Sequence, residues 1–127
     1  MCKSAHYFGF ECNEYNIEKI KEEMNNHAMG INDGRSYKVR LVLDDKGKYT
    51  IESEPIKGDT SAKKIILSEH KTSANNIFYY HKTSKRGVYN AEFQKHCANG
   101  KYFDVIFTNK NDELTEGTRT NLFIQKN

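Results

Sequence analysis

Apolar and polar positions follow two different rhythms along this chain. Residues 1–8 (MCKSAHYF) read as the close of a helix stopped by Gly9. Ile17, Ile20, Met24 and His27 or Ala28 then recur at three- and four-residue spacing. That spacing predicts an amphipathic helix from Ile17 to about Ala28, capped by Asn16 and closed by Gly30. After it the period shortens to two. Residues 36–43 (SYKVRLVL) alternate in part and residues 48–53 (KYTIES) alternate cleanly, on either side of the turn-forming DDKG at 44–47. A β-hairpin is the reading, with Pro55 ending its second strand or marking an edge. Residues 57–62 read as a loop and residues 64–68 (KIILS) as a short buried strand.

Between residues 69 and 80 the pattern weakens around Asn75 and Asn76. A domain boundary is expected there, with one domain over residues 1–76 and the opening of a second over 77–127. In the second, residues 85–98 suit a helix with Val88, Phe93 and Cys97 near one side and Gly100 as its stop. Residues 103–108 (FDVIFT) read as a strand, 109–113 as a turn and 119–124 (RTNLFI) as another strand. The fold class is therefore mixed α/β (α+β). HKTS occurs at 70–73 and again at 81–84, but nothing around the two copies is similar, so no duplication is inferred.

Composition narrows the possibilities. The chain is 36% hydrophobic and 29% charged, with one proline and no tryptophan. Its mean hydropathy is -0.87. Such a chain can build a core, but a thin one, which hints that further sequence or a partner supplies some burial. The net charge of +3 comes from 20 basic and 17 acidic residues interspersed along the chain. Lys63-Lys64 and Lys82 with Lys85-Arg86 are the tight basic groups, and they suit a solvated surface better than a nucleic-acid stripe. Cys2, Cys12 and Cys97 form no CxxC pair, and the five histidines form no HxxxH or HExxH pattern. Neither a disulfide framework nor a metal site is expected. No apolar run is long enough to cross a bilayer or reads as a signal peptide, so no membrane association and a cytoplasmic location are expected.

By residue type alone the candidate chemistry is modest. Lys82 follows the aromatic run Phe78-Tyr79-Tyr80. A lysine held among aromatics can lose its charge by desolvation and act as a nucleophilic amine. Read singly, it is more simply a surface lysine. Glu116 lies in LTEGT (114–118), where a glutamate beside hydroxyls and glycine could face a ligand or could equally be a turn carboxylate.

A resemblance to a known family changes this picture. Glu116, Thr118, Asn121, Leu122 and Phe123 resemble the signature of the class IV aminotransferases, a glutamate followed by a hydroxyl residue and then Asn, an aliphatic and an aromatic. Within that family the chain looks most like aminodeoxychorismate lyase, especially the form fused to para-aminobenzoate synthase component I. The upstream Tyr80-His81-Lys82-Thr83-Ser84-Lys85-Arg86 resembles an element of that form. So do the stretches 4–10 (SAHYFGF) and 37–43 (YKVRLVL).

The resemblance implies a fold type IV enzyme that uses pyridoxal 5'-phosphate. The chain would hold its small N-terminal domain and the first part of the larger one. Lys82 would be the lysine that bonds covalently to the cofactor, preferred over Lys71 by its Tyr-His-Lys-Thr setting and its distance from Glu116. Glu116 would pair with the pyridine nitrogen, keeping it protonated so that the ring draws electrons from a carbanion. Arg86 and Tyr89 are further cofactor-site candidates. Thr118, Arg119, Thr120 and Asn121 would shape the pocket floor, although Asn121 equally suits a structural turn. The substrate would be aminodeoxychorismate, cleaved to 4-aminobenzoate and pyruvate in folate biosynthesis, or an amino acid if the protein is a branched-chain or D-amino-acid aminotransferase. A homodimer and an upstream synthase domain are the implied partners. The family's phosphate-binding residues fall before residue 1 and after residue 127, so weak cofactor binding and little turnover are expected of these residues alone. A non-catalytic module that kept the fold is the remaining alternative.

Overall fold

In a computed structural model that describes residues 1–126, the chain divides into two compact units, Met1–Thr60 and Ser61–Asn127. The first unit contains helices α1 (Cys2–Tyr7) and α2 (Glu14–Gly30) and strands β1 (Tyr37–Leu43) and β2 (Tyr49–Pro55). Gly9 leaves α1 at φ +70°, and the Phe10 N–H bonds back to the Ala5 carbonyl at 2.8 Å. Helix α2 starts earlier than its apolar spacing suggests. Asn13, not Asn16, caps it, with its side chain accepting from the Asn16 N–H at 2.9 Å. That bond satisfies an orphan donor of the first turn, and Glu14 adds a favourable charge there.

Strands β1 and β2 form the expected antiparallel hairpin, with Leu41 opposite Ile51. Its turn is organised by Asp44, whose Oδ1 accepts from the N–H groups of Lys46 and Lys48 at 3.0 and 2.8 Å. Gly47 sits at φ +74°, and a Cβ there would lie 2.6 Å from the Glu11 carbonyl oxygen. Glycine is thus required both for the backbone conformation and for close approach.

The second unit is a three-stranded sheet in the order β3-β4-β5, formed by β3 (Ile65–Thr72), β4 (Asp104–Asn109) and β5 (Leu114–Gly117). β3 is parallel to β4 and β5 antiparallel to it. A short 3-10 helix (Ile77–Tyr80) and helix α3 (Gly87–Cys97) make the crossover that two parallel strands need. β3 runs longer than the expected 64–68, and its later residues Lys71 and Thr72 pair with Thr108 and Asn109. The expected division at residues 76 and 77 consequently falls within the second unit.

β4 is buried on both faces, which explains its continuous Val105-Ile106-Phe107 run, with exposures of 0%, 2% and 1%. Tyr89 and Cys97 on α3 pack into the same core. Val88, expected on the inner side, is exposed. The buried face of α3 also carries Glu92, whose Oε2 accepts from the Ser68 hydroxyl at 2.6 Å.

The strand expected over 119–124 does not form, and the ladder with β4 is made earlier, over 114–117. The reason lies in the backbone donors. The N–H groups of Arg119 and Thr120 bond the Asp104 carboxylate at 3.1 and 3.0 Å instead of a neighbouring strand. Among the described residues no helix is long and apolar enough to cross a membrane, and no cluster of His, Cys, Asp or Glu could hold a metal.

Candidate active site

The segment between the 3-10 helix and α3 is built by local hydrogen bonds. Asn76 caps the 3-10 helix by accepting from the Phe78 N–H at 3.1 Å, and the Tyr80 hydroxyl donates to the Ala74 carbonyl at 2.9 Å. The Thr83 hydroxyl accepts from the Lys85 N–H at 3.1 Å, and the Arg86 N–H bonds the Ser84 carbonyl at 2.9 Å. These turns present His81, Lys82, Thr83, Lys85 and Arg86 to a cavity of about 440 Å³. That volume lies within the range of small-ligand sites.

Lys82, Arg86, Tyr89 and Glu116 all line this cavity. Glu116, distant in the chain, is thereby brought to the same place as the neighbouring candidates Lys82, Arg86 and Tyr89. Lys82 is exposed on the wall, so the preceding aromatics do not bury it as a desolvated lysine would require. Tyr79 and Tyr89, both lining the cavity, and Phe107 in the core form an aromatic ladder, with centroids 5.8 and 4.9 Å apart and edge-on geometry.

The Tyr89 hydroxyl leaves that ladder to donate to Glu116 Oε1 at 2.6 Å. This is the short distance of a hydrogen bond to a charged acceptor. Burial, and then the bond to Glu116, hold the Tyr89 hydroxyl well above the ordinary phenol range. It therefore stays a donor at any ordinary pH. The guanidinium of Arg86 lies over the Tyr89 ring, 4.9 Å from its centroid, and donates to the Thr118 carbonyl. Lys85 reaches over the Phe78 ring, with Nζ 4.5 Å from the centroid.

Thr118 and Asn121 lie elsewhere. Thr118 is 1% exposed, and its hydroxyl donates to Asp104. Its carbonyl, not its side chain, serves the pocket. Asn121 is exposed and does not line the cavity.

The sequence reading missed Asp104, which is fully buried at the head of β4. Burial alone would raise its pKa. The hydrogen bonds from Thr118, Thr120 and the backbone of Arg119 and Val105 outweigh that and hold it below the usual carboxylate range. The available signal was an aspartate opening an apolar strand, with a Thr-Arg-Thr stretch downstream to satisfy it. Gly117 was also underread. A Cβ there would lie 2.5 Å from both Asp104 Oδ2 and Thr120 Oγ1.

Among solved structures, the chain is similar to a protein from Mesorhizobium loti described as a "putative amino-acid aminotransferase". The TM-score is 0.73 at 23% identity, over 91% of this chain and 54% of the other. The chain thus spans about half the length of that protein, and the likeness establishes a shared fold. No curated protein matches. The family model for amino-transferase class IV matches residues 1–127, the whole of the sequence. The chain belongs to the class IV aminotransferase family.

Proposed function

We propose that the cavity is part of a pyridoxal 5'-phosphate site, with Lys82 as the covalent amine and Glu116 as the partner of the pyridine nitrogen. The observation that carries this reading is their meeting in one cavity, with Glu116 already held at one oxygen by Tyr89. The residues fit the group. Lys82 is exposed and so can reach a carbonyl carbon. With Glu116 Oε1 taken by Tyr89, Oε2 is the oxygen left to pair with a cationic ring nitrogen. When bound, the cofactor supplies an electron sink for a carbanion. The chain's own part is to hold that ring, keep its nitrogen protonated and use the Lys82 amine to take and return a proton.

Within the family, the reading favoured is an aminodeoxychorismate lyase, converting 4-amino-4-deoxychorismate to 4-aminobenzoate and pyruvate. Its support is the Tyr80–Arg86 element and the cationic lining of Lys82, Lys85 and Arg86 around the single carboxylate of Glu116. Such a lining suits a substrate with two carboxylates. Transamination of an amino acid is the second reading, supported by the family's own description.

The test is reduction with borohydride in the presence of saturating pyridoxal 5'-phosphate, followed by peptide mapping. Label concentrated on Lys82, and weakened in Glu116→Ala, is the expected result. Label absent or spread across the lysines would sink the proposal. If Lys82 is labelled, 4-aminobenzoate formed from aminodeoxychorismate supports the lyase, and keto-acid formed from an amino acid supports the transaminase.

A further inference from the structure

Asp104 does not line the cavity, yet its side chain is the hub of the turn that follows Glu116. Oδ1 accepts from the Val105 N–H at 2.8 Å and from the Thr118 hydroxyl. Oδ2 accepts from the N–H groups of Arg119 and Thr120 and from the Thr120 hydroxyl, at 3.1, 3.0 and 2.6 Å. An ionised carboxylate is acceptor-only, so every one of these donors is matched. An asparagine of the same shape would turn an NH2 group toward donors on one side or the other.

We propose that Asp104 is a positioning residue for the candidate active site, fixing both Arg86 and Glu116 through the 117–120 turn. The proposal rests on reading the cavity as a cofactor site.

Two routes run from the carboxylate to the pocket. The first passes through Gly117. The chain turns there so tightly against Oδ2 that no Cβ fits, which sets the end of β5 and with it the backbone of Glu116. The second passes through Thr118. Its hydroxyl is held by Asp104 and its N–H by the Val105 carbonyl at 2.9 Å, which aims its own carbonyl at the Arg86 guanidinium. Arg86 then lies against the ring of Tyr89, whose hydroxyl holds Glu116. Both routes end at the same carboxylate. A buried, fully matched carboxylate suits this task because each lost donor would leave an uncompensated charge in the interior, so alternative turn geometries are penalised.

The experiment compares Asp104→Asn, Thr118→Val and Thr118→Ser in the full chain. Two measurements need no cofactor: amide hydrogen exchange at Arg119 and Thr120, and the NMR signal of the Arg86 Nε–H. The third is the pyridoxal 5'-phosphate concentration giving half-maximal borohydride labelling of Lys82. Thr118→Ser keeps the hydroxyl and should match the parent in all three. Asp104→Asn and Thr118→Val should lose protection at 119–120 and shift or broaden the Arg86 signal. They should also raise the half-maximal concentration about tenfold, the loss of one hydrogen bond to a charged group. Amides of Ile106 and Phe107, which do not bond to the Asp104 side chain, should stay protected, which separates loss of position from loss of fold. If Asp104→Asn does unfold, the isosteric Thr118→Val decides. An unchanged Arg86 signal and unchanged labelling in a folded Thr118→Val would overturn the proposal. If the parent chain takes no label on Lys82, the cofactor reading fails, and the exchange and Arg86 data still decide whether Asp104 positions the turn.

Discussion

Replacing Tyr89 by Phe removes one hydroxyl and leaves the ring in place. The ring keeps its edge-on contacts with Phe107 and Tyr79, at 4.9 and 5.8 Å, so no cavity opens in the core. What is lost is the 2.6 Å donation to Glu116 Oε1. A hydrogen bond to a charged group has a net worth of about 1.5–3 kcal/mol. Glu116 is only half-buried, so water can replace the missing donor, and the lower end of that range applies. Thermal stability should therefore fall by about 1.5 kcal/mol. A loss of the same size falls on the orientation of Glu116. About 1.5 kcal/mol corresponds to a tenfold rise in the cofactor concentration that half-labels Lys82. The variant also carries an alkaline signature. The folded-state pKa of Tyr89 is raised above its ordinary value of 10.0. Its contribution is thus complete below pH 10 and is lost as pH rises toward the folded value. Melting curves at increasing pH should converge for the parent and Tyr89→Phe on the alkaline side. Unchanged labelling in Tyr89→Phe would show that Tyr89 does not set Glu116. Loss of the far-UV circular dichroism signal would show that the hydroxyl, and not the ring, holds the core.

Gly47→Ala should destabilise the first unit by about 2–5 kcal/mol, summing left-handed backbone strain with a contact that must be relieved. The contact is the 2.6 Å approach to the Glu11 carbonyl, and an unshifted melting temperature would refute that packing of the hairpin turn. Asp104 predicts an acid-side dependence in the second unit. Its folded pKa lies below the ordinary 3.8, so its contribution is present above that value and is lost as pH falls through the folded value. Asp33 and Glu54 are also lowered, by Arg35 and Lys38, and they titrate in the first unit. Comparing melting of the parent with Asp104→Asn between about pH 6 and pH 2 isolates the Asp104 part, and equal slopes would contradict it.

How far the sequence reveals the fold depends on where each backbone donor finds its acceptor. The hairpin was legible because its period-two pattern and its Asp-Asp-Lys-Gly turn are local and agree with each other. β4 was legible because a strand covered on both faces must be apolar throughout. The start of α2 was misread because apolar spacing reports the buried face, whereas the cap is set by one side-chain hydrogen bond outside that pattern. Residues 69–72 looked like a linker because Ser68 and Thr72 are buried polar residues, and burial there is satisfied by Glu92 and by Thr108 and Thr115. Polar side chains at core positions erase the alternation by which a strand is recognised.

The same cause hid Asp104. Lys82 was singled out by the Tyr80–Arg86 element and Glu116 by the family signature, and both line one cavity with Arg86 and Tyr89. The signature also contains Thr118, which the family resemblance placed at the pocket floor. The fold turns its hydroxyl inward to Asp104 and uses the carbonyl instead. A main-chain carbonyl is present at every residue, so its selection leaves no trace in the sequence. What does leave a trace is the geometry that selection demands: a glycine at 117 where no Cβ fits, hydroxyls at 118 and 120, and an aspartate at the head of the strand beside them. Each is commonplace alone. Taken together as donors and one acceptor that must balance in the interior, they specify a turn, and the turn specifies where Glu116 and Arg86 stand.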